Sequence, residues 1–178
     1  MEIDYKVIYT GSLYGTLPTS KKKGYIFLGW FTSPSPDAQQ ITSVDVFDRS
    51  NTIALYARWK AIEHTVHLRG NGANLPLPTS SITVTYGGTY AELPIPTLEN
   101  YTFDGWYTNP TYGTEITRIS VVKTNAEEVL YAHWTGNTQT IYFDANGGTT
   151  PTTIKEVYYG RNYGTLPNPS RTGYTFDG

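Results

Sequence analysis

The stretch YTFDGWYT, Tyr101–Thr108, sets the organisation of this chain because the chain repeats it. An earlier copy, GYIFLGWFT, covers Gly24–Thr32, and a later one, GYTFDG, covers Gly173–Gly178. The tryptophans Trp30 and Trp106 lie 76 positions apart. Self-similarity at such a fixed period is the sequence signature of a tandem repeat array. The 178 residues are therefore predicted to form several small modules, although length alone would favour one domain.

The module boundaries are predicted at residues 60 and 135. Residues 1–60 are expected to form a first module that lacks its first strand, and residues 61–135 a complete second module. Residues 136–178 are expected to form the first half of a third module, cut before its Trp. The linkers between the modules are short, so the modules are expected to stack as a semi-stiff, elongated array.

Each module is predicted to consist mostly of strands. In the second module Ile82, Val84 and Tyr86 alternate with threonines, the period of two that is typical of a half-buried strand. A Leu-Pro motif follows in every copy, and its prolines predict a loop or a single turn that the leucine anchors to the core. A closing strand carries Leu, Ala and Trp on one face in both complete copies. A hairpin turn between the first two strands is predicted at Asn71-Gly72 and at Asn146-Gly147, because Asn-Gly favours such turns.

Two local features of the module are the glycine before the tryptophan, which has two interpretations, and the apolar residues that follow that strand. The glycine before Trp106 belongs either to a regular strand, with the indole opposite Phe103, or to a bulge that turns the indole inward. Apolar residues at three-residue steps then favour a short helix or 3₁₀ segment, although β-branched residues oppose it. These residues are Ile41, Val44 and Phe47 in the first module, and Ile116, Ile119 and Val122 in the second. With this helix the fold class is α+β, rich in strands.

Composition excludes several classes of function. The net charge of −2 gives no basic surface for nucleic acid. No apolar run approaches the length that spans a bilayer, so direct membrane insertion is not expected. The chain has no cysteine, which excludes a disulfide scaffold and thiol chemistry.

No catalytic, metal-binding or cofactor-binding pattern emerges from the repeats. The histidines His64, His67 and His133 occupy positions that the other copies fill with different residues, so they are interpreted as surface strand positions. The glycine pairs lack the Lys-Ser/Thr of a phosphate-binding loop. We therefore expect a protein that is not an enzyme and that needs no cofactor or metal.

The aromatic and aliphatic residues divide into core candidates and contact candidates. Regular placement in the repeats favours packing over stacking on sugars for the tryptophans, and the predicted repeat core is Trp30, Trp59, Trp106, Trp134, Leu55, Leu130, Phe27 and Phe103. Outward side chains that offer apolar area with a polar group are candidates for contact with a partner. These candidates are Tyr56, Tyr131, Tyr142 and Arg58. Cross-strand aromatic pairs that serve only the sheet are the open alternative.

The motifs taken together resemble the internalin-type B repeat, also called the Listeria–Bacteroides repeat. The resemblance rests on Tyr101–Tyr107, Leu130–Trp134, Tyr142–Gly148 and Gly173–Gly178. Asn100 departs from the pattern, since the other copies have glycine at its position. The resemblance implies tandem β-grasp modules of the ubiquitin or SUMO type on secreted or cell-wall-attached bacterial proteins, with no enzymatic activity.

The expected function is a semi-rigid spacer and weak protein-interaction, or adhesin, segment at the bacterial surface. Its expected partners are a host or matrix protein or a glycan. The alternative is a carbohydrate-binding module that uses the outward tyrosines. A further expectation is head-to-tail self-association, in which residues 139–144 of one molecule complete the first module of another by strand addition.

Overall fold

The computed structural model describes residues 5–71 and 80–178. In these two ranges the chain folds into ten β-strands and contains no α-helix. The strands are β1 (Tyr25–Phe31), β2 (Gln40–Ile41), β3 (Tyr56–Ala61), β4 (Glu63–Arg69), β5 (Ser81–Thr85), β6 (Tyr101–Tyr107), β7 (Glu115–Ile116), β8 (Glu128–Gly136), β9 (Thr138–Tyr142) and β10 (Ile154–Tyr158).

The described strands form three sheets that follow the repeat order. The first is three-stranded, in the order β2-β1-β3, and its pairs are antiparallel. The second is five-stranded, in the order β5-β4-β8-β6-β7, and its central pair β4 and β8 is parallel. The third pairs β9 with β10 in an antiparallel hairpin. The prediction of a strand-rich chain is confirmed.

The chain divides into two compact units. The first comprises Met1–Thr65, Thr83–Thr89 and Val121–Ala126, and the second comprises Val66–Ile82, Tyr90–Ser120 and Glu127–Gly178. In the first unit a core cluster of Tyr14, Ile41 and Phe47 is supported by partly buried neighbours, among them Leu17 and Leu55. The rings of Tyr14 and Phe47 meet edge to face, with their centroids 5.6 Å apart.

The second unit buries one face of each of its central strands. On β4, Val66 and Leu68 are buried, and on β8, Leu130 and Ala132 are buried, with Ala132 at 0% exposure. This alternation with exposed or half-buried neighbours is what the period-two sequence pattern predicts. Leu93 of the Leu-Pro motif is also buried, which confirms its predicted role as an anchor.

An aromatic triad recurs in the two complete Gly-Trp strands. Phe103 lies 5.7 Å from Trp106 and 5.3 Å from Trp134, measured between ring centroids. In the first unit the corresponding distances from Phe27 are 5.6 Å to Trp30 and 5.3 Å to Trp59. Edge-to-face or tilted packing at these distances is the favourable geometry for aromatic rings. The triad therefore links the Gly-Trp strand to the closing strand of its own repeat.

A β-bulge at the glycine turns each indole inward. The register shifts between Phe103 and Gly105, and in the first sheet between Phe27 and Gly29. Gly105 has φ 147° and Gly29 has φ 125°, a region that favours glycine. Trp106 is consequently only 2% exposed. Of the two interpretations of this glycine, the bulge is confirmed.

The indole of the Gly-Trp strand also holds the Leu-Pro loop. Trp106 Nε1 donates a hydrogen bond to the carbonyl of Pro94 at 2.8 Å. Trp30 Nε1 donates to the carbonyl of Pro18 at 2.7 Å, again across twelve residues. One side chain thus fills the core and satisfies a loop carbonyl.

The predicted short helix is wrong in both copies. Val44 is 73% exposed and Ile119 is 84% exposed, so the three-residue steps do not form one apolar face. Instead, Asp45 accepts hydrogen bonds from the backbone and side chain of Thr42, at 2.6 and 2.8 Å. Such short side-chain bonds give the backbone an alternative to a helix and close a turn. The helical part of the α+β assignment is therefore corrected: the described chain is strands, turns and loops.

Each link between two successive modules is a single residue long. Only Ile62 separates β3 from β4, and only Asn137 separates β8 from β9. Asn146 and Gly147 have φ 47° and 81° and form a turn, but it lies within a longer loop between β9 and β10. The expected turn at Asn71-Gly72 lies partly outside the described residues, because Gly72 is not among them.

Trp106→Phe tests how strongly the indole stabilises its repeat. The substitution removes the donor to Pro94 and leaves a void in the core, so we expect the free energy of unfolding to fall by about 2–4 kcal/mol. Calorimetric unfolding of the whole chain measures this. Tyr174→Phe, at a side chain that is 69% exposed, is the matched control and should change stability by less than about 0.5 kcal/mol. An equal effect of the two substitutions would contradict the assigned role.

Candidate functional site

Arg58, a predicted contact residue, is engaged within its own repeat. Its guanidinium donates hydrogen bonds to the carbonyls of Ser35 and Pro36, the latter at 3.2 Å. It also lies 3.7 Å from the centroid of the Phe31 ring, in cation–π geometry. Arg58 thus holds the loop that follows the first Gly-Trp strand.

His133 occupies the same place in the next repeat. Its Nε2 lies 2.8 Å from the carbonyl oxygen of Asn109, and its ring stacks on Tyr107 with centroids 4.0 Å apart. Arginine and histidine therefore perform one structural task at equivalent positions: each stacks on an aromatic ring and binds a loop carbonyl. This explains why the repeats exchange them.

The three candidate tyrosines lie on three different strands. Tyr56, on β3, is 44% exposed, Tyr131, on β8, is half-buried, and Tyr142, on β9, is 76% exposed. Tyr56 lies opposite Phe31 in the strand register, and Tyr131 lies opposite Tyr107. Two of the three thus lie opposite an aromatic residue of the neighbouring strand in their own sheets.

The three histidines lie in different surroundings. His64 is buried at 8% exposure, so its assignment to the surface is wrong: β4 alternates, and its even positions face the core. His67 Nε2 lies 3.9 Å from Glu127 Oε2. Within residues 5–71 and 80–178 no group of three or more His, Cys, Asp or Glu side chains could hold a metal ion. The same residues contain no helix long and apolar enough to cross a membrane.

A tyrosine pair marks the junction between the first and second repeats, inside the first unit. The N–H of the linking residue Ile62 donates to the carbonyl of Gly24, and the N–H of Tyr86 donates to the carbonyl of Ile62, both at 2.9 Å. The rings of Tyr25 and Tyr86 meet edge to face with centroids 5.7 Å apart. Gly24 leaves room for the Tyr86 ring at its present position, because a Cβ on residue 24 would lie 2.2 Å from that ring.

The same junction recurs between the second and third repeats, inside the second unit. Asn137 donates to the carbonyl of Asn100 at 2.9 Å, and Tyr159 donates to the carbonyl of Asn137 at 3.0 Å. Tyr101 and Tyr159 meet edge to face with centroids 5.4 Å apart. We name these two arrangements the tyrosine junctions. The sequence signal for them was a tyrosine at the start of each Gly-Trp copy and another before glycine at the end of each second strand.

An open groove of about 680 Å³ lies in the second unit. Its lining includes the aromatic rings of Tyr101, Phe103, Trp106 and Trp134, the Leu-Pro loop, and the charged residues Asp104, Glu115 and Arg118. Of these residues, Phe103, Trp106 and Trp134 were assigned to the core from the sequence. The groove is lined by residues 93–98 of the loop and by the Gly-Trp strand, and this arrangement is a tertiary feature that no local pattern encodes.

Hydrogen bonds fix several groups that line this groove. Asp104 Oδ2 accepts from the hydroxyl of Thr135 at 2.8 Å. Arg118 Nε donates to the carbonyl of Leu93 at 2.9 Å, and Trp134 Nε1 donates to the carbonyl of Gly70 at 2.9 Å. The groove therefore presents polar groups and rings that are already positioned.

A buried tyrosine, Tyr90, precedes the Leu-Pro loop in the second unit. Tyr90 is 3% exposed, and its hydroxyl donates to Glu128 Oε2 at 2.7 Å. Burial, followed by this hydrogen bond and the carboxylate charge, raises the pKa of the Tyr90 hydroxyl well above 10. Burial likewise raises the pKa of its equivalent Tyr14. Sequence reasoning placed both tyrosines in the Leu-Pro motif but did not predict their burial.

Comparison with known proteins gives one family and several longer relatives. The profile of the Listeria-Bacteroides repeat domain matches residues 2–58, 64–133 and 140–178. A protein of Evansella cellulosilytica that is named as a Gly-rich membrane protein is 27% identical over 172 residues, which cover 93% of this chain and 19% of that protein. Another protein of this organism, named as a membrane protein, is 28% identical over 158 residues, covering 89% of this chain and 23% of its own length.

Internalin H of Listeria monocytogenes is 37% identical to this chain over 100 residues, which are 56% of this chain and 18% of the internalin. The chain thus spans about a fifth of the length of the curated relatives it matches. No solved structure matches the chain.

Tyr90→Phe tests the buried hydroxyl through its pH dependence. Removing the donor to Glu128 should lower the free energy of unfolding at pH 7 by about 1–2 kcal/mol. Because the pKa is raised in the folded state, the folded protein holds this proton more tightly than the unfolded chain. The stability that the hydroxyl contributes is therefore fully present below pH 10 and is lost as the pH rises above it.

Urea unfolding of the wild-type chain and of Tyr90→Phe between pH 7 and 11 measures this difference. The wild type should lose stability more steeply above pH 10 than the variant does. Tyr163→Phe, at the equivalent but exposed position of the third repeat, is the control. Parallel pH profiles for all three proteins would show that Tyr90 does not carry the effect.

Proposed function

The chain belongs to the Listeria-Bacteroides repeat domain family, and we propose that it acts as a semi-rigid spacer in a bacterial surface protein. Its relatives are named as membrane proteins and as an internalin, which supports a surface-associated parent protein. We also propose that the parent protein is attached to the cell wall and that this segment adheres weakly to a host or matrix protein or to a glycan. The proposal assigns the segment no catalytic role.

The observation that carries the spacer role is the repeated tyrosine junction. A single linking residue, Ile62 or Asn137, has both its N–H and its carbonyl committed to backbone hydrogen bonds. Each such bond contributes about 0.5–1.5 kcal/mol net, and an edge-to-face ring pair adds about 0.5–1.5 kcal/mol. Free rotation about the link would break all of these contacts together. A flexible tether would need none of them, and flexible linkers are usually longer and rich in Gly and Ser.

The strand order supports a β-grasp module without its helix. Counted within the second repeat, the sheet runs second, first, fifth, third, fourth, and the first and last strands are parallel neighbours. We propose that the Leu-Pro loop with buried Leu93 and Tyr90 covers the sheet where a β-grasp fold places a helix. An extended loop anchored at a few side chains suits a short module that has little apolar surface to bury.

Inserting Gly-Ser-Gly-Ser after Ile62 tests the spacer role. The insertion separates the two backbone bonds and the ring pair, so the repeats should become free to reorient. Spin labels on Ser50→Cys and Lys123→Cys, both exposed and both in the first unit but in different repeats, can be placed specifically because the chain has no cysteine. Pulsed dipolar spectroscopy should give a narrow distance distribution for the parent chain and a broad one for the insertion variant.

The control is the same insertion after Pro151, in the exposed loop between β9 and β10. It should leave the distance distribution narrow. A parent chain whose distribution is already as broad as that of the Ile62 insertion would overturn the semi-rigid spacer.

A further inference from the structure

The groove of the second repeat differs from the matching surface of the first repeat at three polar positions. Both repeats carry the same aromatic triad at nearly equal distances. Where the second repeat has Asp104, Glu115 and Arg118, however, the first has Leu28, Gln40 and Ser43. The strand register fixes this correspondence, since Gln40 lies opposite Phe31 and Glu115 lies opposite Tyr107. The repeat framework therefore does not require the charged trio.

The first repeat uses its own residue at this place to complete the fold. Gln40 Nε2 donates a hydrogen bond to the carbonyl of Leu28 at 3.0 Å, over the bulge glycine. Glu115 cannot do the same, because an ionised carboxylate has no proton to donate. The carboxylate instead stays beside Gly105 as an acceptor at the wall of the groove.

The aromatic part of the groove is rigid before any ligand arrives. Trp106 is too deeply buried to offer a ring face, so the accessible rings are those of Phe103 and the half-buried Trp134. The indole N–H of Trp134 is bound to Gly70, and Phe103 packs edge to face against both indoles. Groups that are held in place in this way lose little conformational entropy on binding.

We propose that this groove binds a neutral oligosaccharide, with a pyranose ring against Phe103 and Trp134. The C–H face of a sugar ring matches an aromatic surface, and its hydroxyls can donate to the carboxylates of Asp104 and Glu115. The same hydroxyls can accept a hydrogen bond from Arg118. A carboxylate ligand can only accept and a charged amine can only donate, so neither can bond both to the two carboxylates and to the arginine. The groove volume of about 680 Å³ lies in the range usual for small-ligand sites.

A cationic peptide is the competing ligand, and it would use only the two carboxylates of the charged trio. The two carboxylates would attract a basic side chain, but Arg118 lines the same groove and repels it. A neutral ligand with both donors and acceptors uses all three groups. The proposed site is also separate from the outward tyrosines, since neither Tyr56 nor Tyr142 lines it.

The test is titration of the full chain with neutral β-linked tetrasaccharides of glucose and of N-acetylglucosamine, followed by NMR and calorimetry. Binding should be saturable, should shift the indole resonance of Trp134, and should change little between low and physiological salt. The double variant D104L/E115Q carries the residues of the first repeat at these positions, so the fold should tolerate it. Its affinity should be at least about tenfold weaker, because two hydrogen bonds to charged groups are lost.

Tyr56→Phe and Tyr142→Phe are the matched controls outside the groove, and binding should be unchanged in both. The melting temperature of each variant, measured in parallel, separates lost binding from lost folding. Failure of both sugars to bind, or binding that D104L/E115Q leaves intact, would overturn the proposal. So would a salt-sensitive affinity for an oligolysine peptide in place of the sugars, which would assign the groove to a basic ligand. None of these outcomes bears on the spacer role, which rests on the tyrosine junctions.

Discussion

The indole of the Gly-Trp strand is the group on which the first and second repeats depend. Trp106 is turned inward by the bulge at Gly105, packs against Phe103, and donates a hydrogen bond to the carbonyl of Pro94. The bulge and both contacts recur around Trp30 in the first repeat. A module of this size can bury only a modest core, so one large side chain that also bonds to a loop carbonyl has a disproportionate effect. The glycine is needed because few other residues adopt its backbone conformation.

The contacts at the boundaries between repeats also recur. The two tyrosine junctions use the same bonds and the same ring geometry, one inside each compact unit. Asn100 stands where the other copies have glycine, and it adopts φ 62° without changing the junction. Asparagine tolerates this left-handed conformation better than most residues, which explains why the departure from the repeat pattern is harmless. The junction is thus a property of the repeat and not of one pair of residues.

The differences between repeats identify the groove as a place where function can be added. Arg58 and His133 differ chemically, yet both hold the same loop, so their exchange is structural. At the groove the exchange of Leu28 for Asp104, and of Gln40 for Glu115, removes an internal hydrogen bond and exposes a carboxylate. The second repeat thus keeps the framework of the first and presents charged groups at a place where the first repeat bonds to itself.

The sequence by itself determined the repeat period, the family, the strands and most of the anchors. Its local patterns carry these features: alternation on β4 and β5, the Leu-Pro motif, and the recurring Gly-Trp and closing strands. It also suggested a helix at Ile41–Phe47, and there the local signal failed. The hydrogen bonds of Asp45 to Thr42 close a turn in place of a helix.

Only the tertiary structure decided the tyrosine junctions, the burial of Tyr90 against Glu128, and the groove. Tyr25 meets Tyr86, and Phe103 meets Trp134, across long stretches of chain. Such pairs are fixed by the order and register of strands in a sheet, which sequence periodicity does not encode. The sequence therefore shows which residues recur, and the fold decides which of them face each other, because distance in space is set by strand pairing and not by position along the chain.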